Sequence, residues 1–249
     1  MMVGLNFEYH LFSSKSLVLT NSDVPAVLIK LMPFGLYPQP INEKLADGSL
    51  IQTFVFTNTS SEHVSVKFLS NKVVISKAFP PAMDLKIKGT PINYVEEATA
   101  RLNELTHSLL PIISSLKGDD KFNRLSLVAQ FIEIERYDEF KTKLTNSFVG
   151  SVPWVNERDC KECSIRTCMT LMHDDESVNS LINIGDAFVQ TIIGVENTTI
   201  PCVAVDFDIN TLSEITEDRF ETKDIDSLFK FFHKELLNNL NKVGGFIGE

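Results

Sequence analysis

Residues 93–116 read NYVEEATARLNELTHSLLPIISSL, and the spacing of their apolar side chains decides the fold class. Val95, Ala98, Leu102, Leu105, Leu109, Ile112 and Leu116 recur at steps of three and four, which makes one continuous apolar stripe on a helix. Asn93 followed by Glu96 predicts a cap with its reciprocal partner, with Thr90-Pro91 as an alternative start. Gly118 predicts the stop, and Pro111 predicts a kink or a split inside the stripe. Such a stripe must be buried against another surface.

That surface lies upstream. Residues 5–12, LNFEYHLF, alternate apolar and polar side chains with the period of two that marks a half-buried strand. Ala26–Leu31 is a further short apolar run in this strand-like first third, and PFGLYPQP (33–40), with three prolines and a glycine, predicts irregular structure. Leu50–Thr57, His63–Leu69 and Val73–Ser76 are β-branched and aromatic runs separated by short polar turns, the pattern of an antiparallel meander. The loop FPPAMD (79–84) closes this block.

A second block repeats the order. It comprises a strand at Leu125–Ile134, a short helix at about Tyr137–Phe148, a turn-like SVPWVNERD (151–159), and strands at Ser164–Met172, Ser177–Ile184, Ala187–Ile193 and Cys202–Ile209. Gly185-Asp186 reads as a two-residue hairpin, with one long bulged strand as the alternative. A closing helix over 225–243 buries Ile225, Leu228, Phe232, Leu236 and Leu240, with Thr222 or Asp224 as cap and Gly244-Gly245 as its end. The expected fold is therefore α+β: one antiparallel sheet from two β-meander-plus-helix blocks, covered on one face by the two long amphipathic helices. One domain over 1–249 is expected, with pseudo-repeats at 1–118 and 119–249 as the organisation the element order suggests.

Composition excludes several classes. Of 249 residues, 43% are hydrophobic and 22% charged, which is globular rather than disordered or low-complexity composition. The 23 Lys and Arg against 33 Asp and Glu give a net charge of −10, which disfavours nucleic-acid binding and suits a basic protein partner. Four cysteines do not make a disulfide scaffold, and no apolar run reaches the roughly 18–20 residues of a membrane span. A cytoplasmic location without membrane association is the expectation.

Three features invite chemistry. Cys160, Cys163 and Cys168, followed by His173, have part of a zinc-ligand spacing, but five residues is an odd step along a strand and sends Cys168 and His173 to opposite faces; ordinary reduced thiols are expected. Asp206 and Asp208 share one strand face, an arrangement that can hold a divalent cation if further ligands converge. Trp154, the single tryptophan, is a candidate partner contact. Nucleophile-elbow, phosphate-loop, dinucleotide and H-E-x-x-H signatures are missing, so no catalytic residue, cofactor or metal site is assigned.

The run from CVAVDFDIN (202–210) through an acidic loop to DIDSLFKFFHKELLNNL (224–240) resembles the end of a sporadically distributed bacterial family of uncharacterised α+β proteins of about this length. Asp206, Asp208 and the closing helix carry the resemblance, which implies no activity. The functional expectation is a non-enzymatic interaction protein, with self-association and membership of a bacterial defence, toxin-neutralising or chaperone-like assembly among its forms. The alternative is a metal-dependent hydrolase or nuclease using Asp206 and Asp208.

Overall fold

The structure is a computed structural model that describes residues 2–58, 63–79, 90–148, 164–193 and 196–247. Its first half runs β1 (Val3–Phe12), α1 (Val24–Leu31), a 3-10 turn (Met32–Phe34), β2 (Tyr37–Lys44), β3 (Leu50–Thr57), β4 (Val64–Phe68), β5 (Lys72–Ala78) and α2 (Pro91–Lys117). The second half runs β6 (Arg124–Glu133), α3 (Tyr137–Phe148), β7 (Ser164–His173), β8 (Glu176–Ile193), β9 (Glu196–Thr211) and α4 (Thr222–Ile247). All nine strands join one antiparallel sheet in the order β2-β3-β4-β5-β1-β6-β9-β8-β7. Each half thus opens with a strand that ends up central, crosses to an outer edge, and meanders back until its last strand lies beside its first. β1 and β6, the two opening strands, pair with one another and form the seam.

Alternation along these strands sorts side chains to two faces. Phe7, Tyr9 and Leu11 of β1, Leu125, Leu127, Ala129 and Phe131 of β6, and Val203, Val205, Phe207 and Ile209 of β9 are all buried. Phe7, Phe131 and Phe207 meet edge to face across the seam, with centroids 5.3 and 5.8 Å apart. Helix α4 lies over them: the Phe229 ring stacks on Tyr9 at 3.8 Å. Helix α2 packs against β1 and β5 at the neighbouring position, and α3 joins the same layer through an edge-to-face contact of Phe140 with Phe246 of α4. An apolar core therefore fills the space between one sheet face and the helices, as the stripes require.

The α2 stripe is observed with one change. Val95, Ala98, Leu102, Leu105 and Leu109 are buried, and beyond them Leu110 and Ile113 are buried whereas Ile112 and Leu116 are only partly so. The helix starts at Pro91, capped by Thr90, and ends on Gly118 in the left-handed conformation. It continues unsplit through Pro111. Gly4 sets how closely α2 approaches the sheet, since a Cβ there would sit 2.8 Å from that of Tyr94.

Four expectations are corrected. Ala26–Leu31 belongs to helix α1, because Pro25 at its start presets the backbone and its missing N–H would be unpaired there in any case. The proline-rich 33–40 stretch is not wholly irregular: it turns at Gly35 (φ 68°) and enters strand β2. β2 tolerates Pro38 and Pro40 because it is the outermost strand, and only an edge can leave the missing donors unmatched. Gly185-Asp186 makes no hairpin and the alternative, one long strand, holds without a bulge: β8 passes straight through, with Gly185 opposite Ala204 and Asp186 opposite Val203. Gly244-Gly245 does not end α4, which continues to Ile247. Among the described residues, no helix is long and apolar enough to cross a membrane.

Leu102 and Phe232 sit at the centre of the two stripes, at 1% and 0% exposure. Leu102→Asp or Phe232→Asp places an unpaired carboxylate in that layer, and we expect a loss of more than about 4 kcal/mol of stability and of soluble expression. Soluble variants with cooperative, wild-type-like thermal transitions would overturn the helix packing described here.

Candidate interaction face

The opposite sheet face has no helix on it among the described residues, so its side chains are the ones available for function. Strand register arranges them in rows. One row runs Ser65, Ser76, Glu8, Val128, Asp208, Leu181 and Cys168 across seven strands. The next runs Lys67, Val74, His10, Ser126, Asn210, Asn179 and Thr170. On the other side of the first row, Asn6, Gln130, Asp206, Asn183 and Arg166 stand side by side. The face is polar but interrupted by the half-buried Val128 and Leu181 and by the buried Val74.

Neighbouring rows are bonded together. His10 Nε2 and the Glu8 carboxylate are 2.7 Å apart, and Asn6 Nδ2 donates to Glu8 at 2.9 Å. The His10 hydrogen bond, opposed by burial and aided by Asn6 and by the charge of Lys67, holds the Glu8 carboxyl below the usual glutamate range. Asp208 accepts from Ser126 Oγ at 2.8 Å and from Asn210 Nδ2 at 2.9 Å. Asp206 accepts from Gln130 and Asn183, both at 3.3 Å. Between these two carboxylates a shallow depression of about 320 Å³ opens, with Arg166, Val128 and Leu181 on its walls.

Asp206 and Asp208 thus share the wet face that the alternation predicts. Their donors are neutral amides and a hydroxyl, and no group of three or more His, Cys, Asp and Glu gathers to hold a metal among the described residues. The described residues do not supply the third ligand that a hydrolytic centre needs. Cys168 is exposed on the open face, while the His173 ring stacks on Phe231 of α4 at 4.5 Å and bonds Ser227 at 3.1 Å. The pair is therefore split between the two sides of β7, as its odd spacing requires. Trp154, Cys160 and Cys163 lie outside the described residues. A further depression of about 330 Å³, at the start of α4, is bordered by Glu176 and Arg219, which already form a two-pronged ion pair at 2.7 and 3.3 Å.

Sequence reasoning missed the cations of the open face. Lys72, Phe12 and Arg124 stand in one row on adjacent strands, with Lys67 close by on β4. Lys67 and Lys72 fall in the Lys67–Lys77 stretch, whose basic residues are interleaved with apolar ones and read as no patch, and Arg124 lies far from it in the chain. Neither a protein-family model nor a curated protein matches this chain.

The Glu8 arrangement has a pH signature. A carboxyl that titrates lower in the folded than in the unfolded chain contributes its full stability above about 4.5, and that contribution disappears as the pH falls through the lower folded value. We expect Glu8→Gln to cost about 1–2 kcal/mol at neutral pH in chemical denaturation, with the gap to wild type closing as the pH falls below about 4.5. A gap constant over that range would remove Glu8–His10 from the stabilising network.

Proposed function

We propose that this is a non-catalytic binding protein that docks another protein on the helix-free face of its sheet. One observation carries the reading: a polar face spanning both halves of the sheet, whose carboxylates are already held by fixed donors and which has two half-buried apolar side chains at its centre. Preset polar groups around a small apolar centre are the composition of a transient protein interface. A catalytic centre instead needs a nucleophile beside a base, or several ligands converging on one point. Although the whole chain is acidic, this face has both signs, with Lys67, Lys72, Arg124 and Arg166 against Glu8, Asp206 and Asp208. A partner matched to it therefore has mixed charge, not only basic groups.

The test uses Val128→Glu and Leu181→Glu, which alter the centre of the face without touching the core. Proteins retained by the wild type in native-cell affinity capture should be lost from both variants and kept by Lys143→Glu on the exposed side of α3. Retention by both face variants would sink the reading. So would a rise in melting midpoint with Mg²⁺ or Mn²⁺ that disappears in Asp206→Asn, since specific binding to the native state must raise the midpoint.

Self-association is a second reading, favoured by the difference between the sheet edges. β2 carries Pro38 and Pro40, which blunt its edge, whereas β7, SIRTCMTLMH, has Arg166 as its one fully charged side chain. On this reading Thr167→Pro, which removes an edge donor or distorts the strand, shifts a dimer to monomer in light scattering; a monomeric wild type at about 100 µM excludes it.

A further inference from the structure

At the end of the seam, where β1 and β6 run out, two cations face each other across an aromatic ring. Lys72 is paired in register with Phe12, and Phe12 with Arg124, so the three side chains emerge on the same face of adjacent strands. The Lys72 ammonium lies 5.1 Å and the Arg124 guanidinium 4.9 Å from the ring centroid. The ring attracts both, but it satisfies none of their hydrogen-bond donors.

Neither side chain has a hydrogen-bond acceptor or an ion-pair partner among the described residues, and Arg124 Nε is buried with no partner at all. Arginine presents five donors in a planar fork, and sinking part of that fork without an acceptor is costly. The nearby carboxylates are engaged elsewhere: Glu8 by His10 and Asn6, Asp208 by Ser126 and Asn210, and Asp218 by the Ser14 backbone N–H and hydroxyl. Burial pushes the Lys72 ammonium down, opposed by the charges of Glu8 and Asp208 and aided by those of Arg124 and Lys67. An anion against the Arg124 fork would supply the acceptor it lacks.

A cavity lies at this point. It measures about 220 Å³ and is bordered by Phe12 and Arg124 together with Ser13, Asn71, Ser213 and Thr216, groups contributed by both halves of the chain. Asn123, also on its wall, donates to the Thr216 carbonyl at 3.1 Å but leaves its own Oδ1 buried without a donor. Hydroxyls and amides surrounding a guanidinium supply more donors than a planar carboxylate has sites for. Their number suits a tetrahedral oxyanion, and the orphan Asn123 Oδ1 suits an anion that carries one proton or hydroxyl.

We propose that this seam cavity is a binding site for a phosphate group, free or on a small molecule, held by Arg124 and the hydroxyl and amide side chains on its wall, with Lys72 adding positive charge from beyond the Phe12 ring. It shares Lys72 and Arg124 with the docking face but requires no partner chain and lies beyond its Val128–Leu181 centre, so a failed phosphate titration leaves the docking reading standing.

The experiment titrates inorganic phosphate and pyrophosphate into the full chain, at ionic strength matched with chloride, and reads phosphorus NMR line broadening and the melting midpoint. Wild type should show saturable broadening and a rising midpoint. Arg124→Gln should weaken binding by about tenfold or more and Lys72→Gln, which acts only through charge, by less, while Arg166→Gln, a cation at the far side of the same face, should behave as wild type. A stronger response to a sugar phosphate or nucleotide than to inorganic phosphate identifies a small-molecule source, and an equal response identifies the free ion; both support the site. No saturable response to either probe in wild type overturns it, and so does equal weakening by Arg166→Gln, which would mean diffuse attraction. If Arg124→Gln does not fold, Arg124→Lys, which keeps the charge but loses the planar fork, decides on the same terms.

Discussion

Antiparallel pairing of β1 with β6 is the constraint on which the rest of the molecule depends. Each half has a meander and two helices, but neither meander closes its own edge: the opening strand of each half presents a free side until the other half pairs with it. That pairing draws Phe7, Phe131 and Phe207 into one edge-to-face series beneath the helices. It also brings Tyr9 of the first half under Phe229 of the second. The core is continuous because the seam is, and burying these large rings supplies the main driving force for joining the halves.

The same register composes the open face. A slip of one residue between β1 and β6 would exchange the two sets of side chains, sending Glu8 and His10 inward and Phe7 and Tyr9 to water. Pairing as observed, it lines up Glu8 with Val128 and Asp208, and Phe12 with Arg124. Chemistry on the open face is thus a by-product of burial on the other. This is why the face can hold carboxylates with satisfied acceptors and cations with unsatisfied donors only a few strands apart: nothing on that side had to be apolar for the fold to form.

Period and punctuation made much of this legible in the sequence. The stripes of α2 and α4, the alternation of β1 and β9, and the wet placement of Asp206 and Asp208 all follow from spacings of three, four and two. The failures were at proline and glycine, whose effect depends on tertiary position. Pro25 starts a helix, Pro38 and Pro40 are acceptable because β2 is an edge, and Gly185 and Gly244 lie within elements that continue past them. Local rules read Pro38, Pro40 and Gly244 as breaks and left Gly185 open between a turn and a long strand, whereas packing of the flanking residues carried the elements through. Lys72, Phe12 and Arg124 could not be found in this way. They come from three strands that are distant in sequence, and only the sheet order makes them neighbours.

Apolar stripes alone leave a helix free to slide, and each long helix here has a locator that is not apolar. For α2 it is steric: Gly4 admits the Tyr94 side chain at a distance that no other residue in β1 would allow. For α4 it is polar. Ser180 of β8 is fully buried, accepts from Asn239 Nδ2 at 2.8 Å and donates to Glu235 at 3.4 Å. Two polar side chains one helical turn apart are thereby fixed over a single hydroxyl. Sliding α4 by a turn would preserve much of its greasy contact but would leave these buried groups without partners, at about 1–3 kcal/mol for each. The apolar area holds the helix down, and the polar trio decides where it lies.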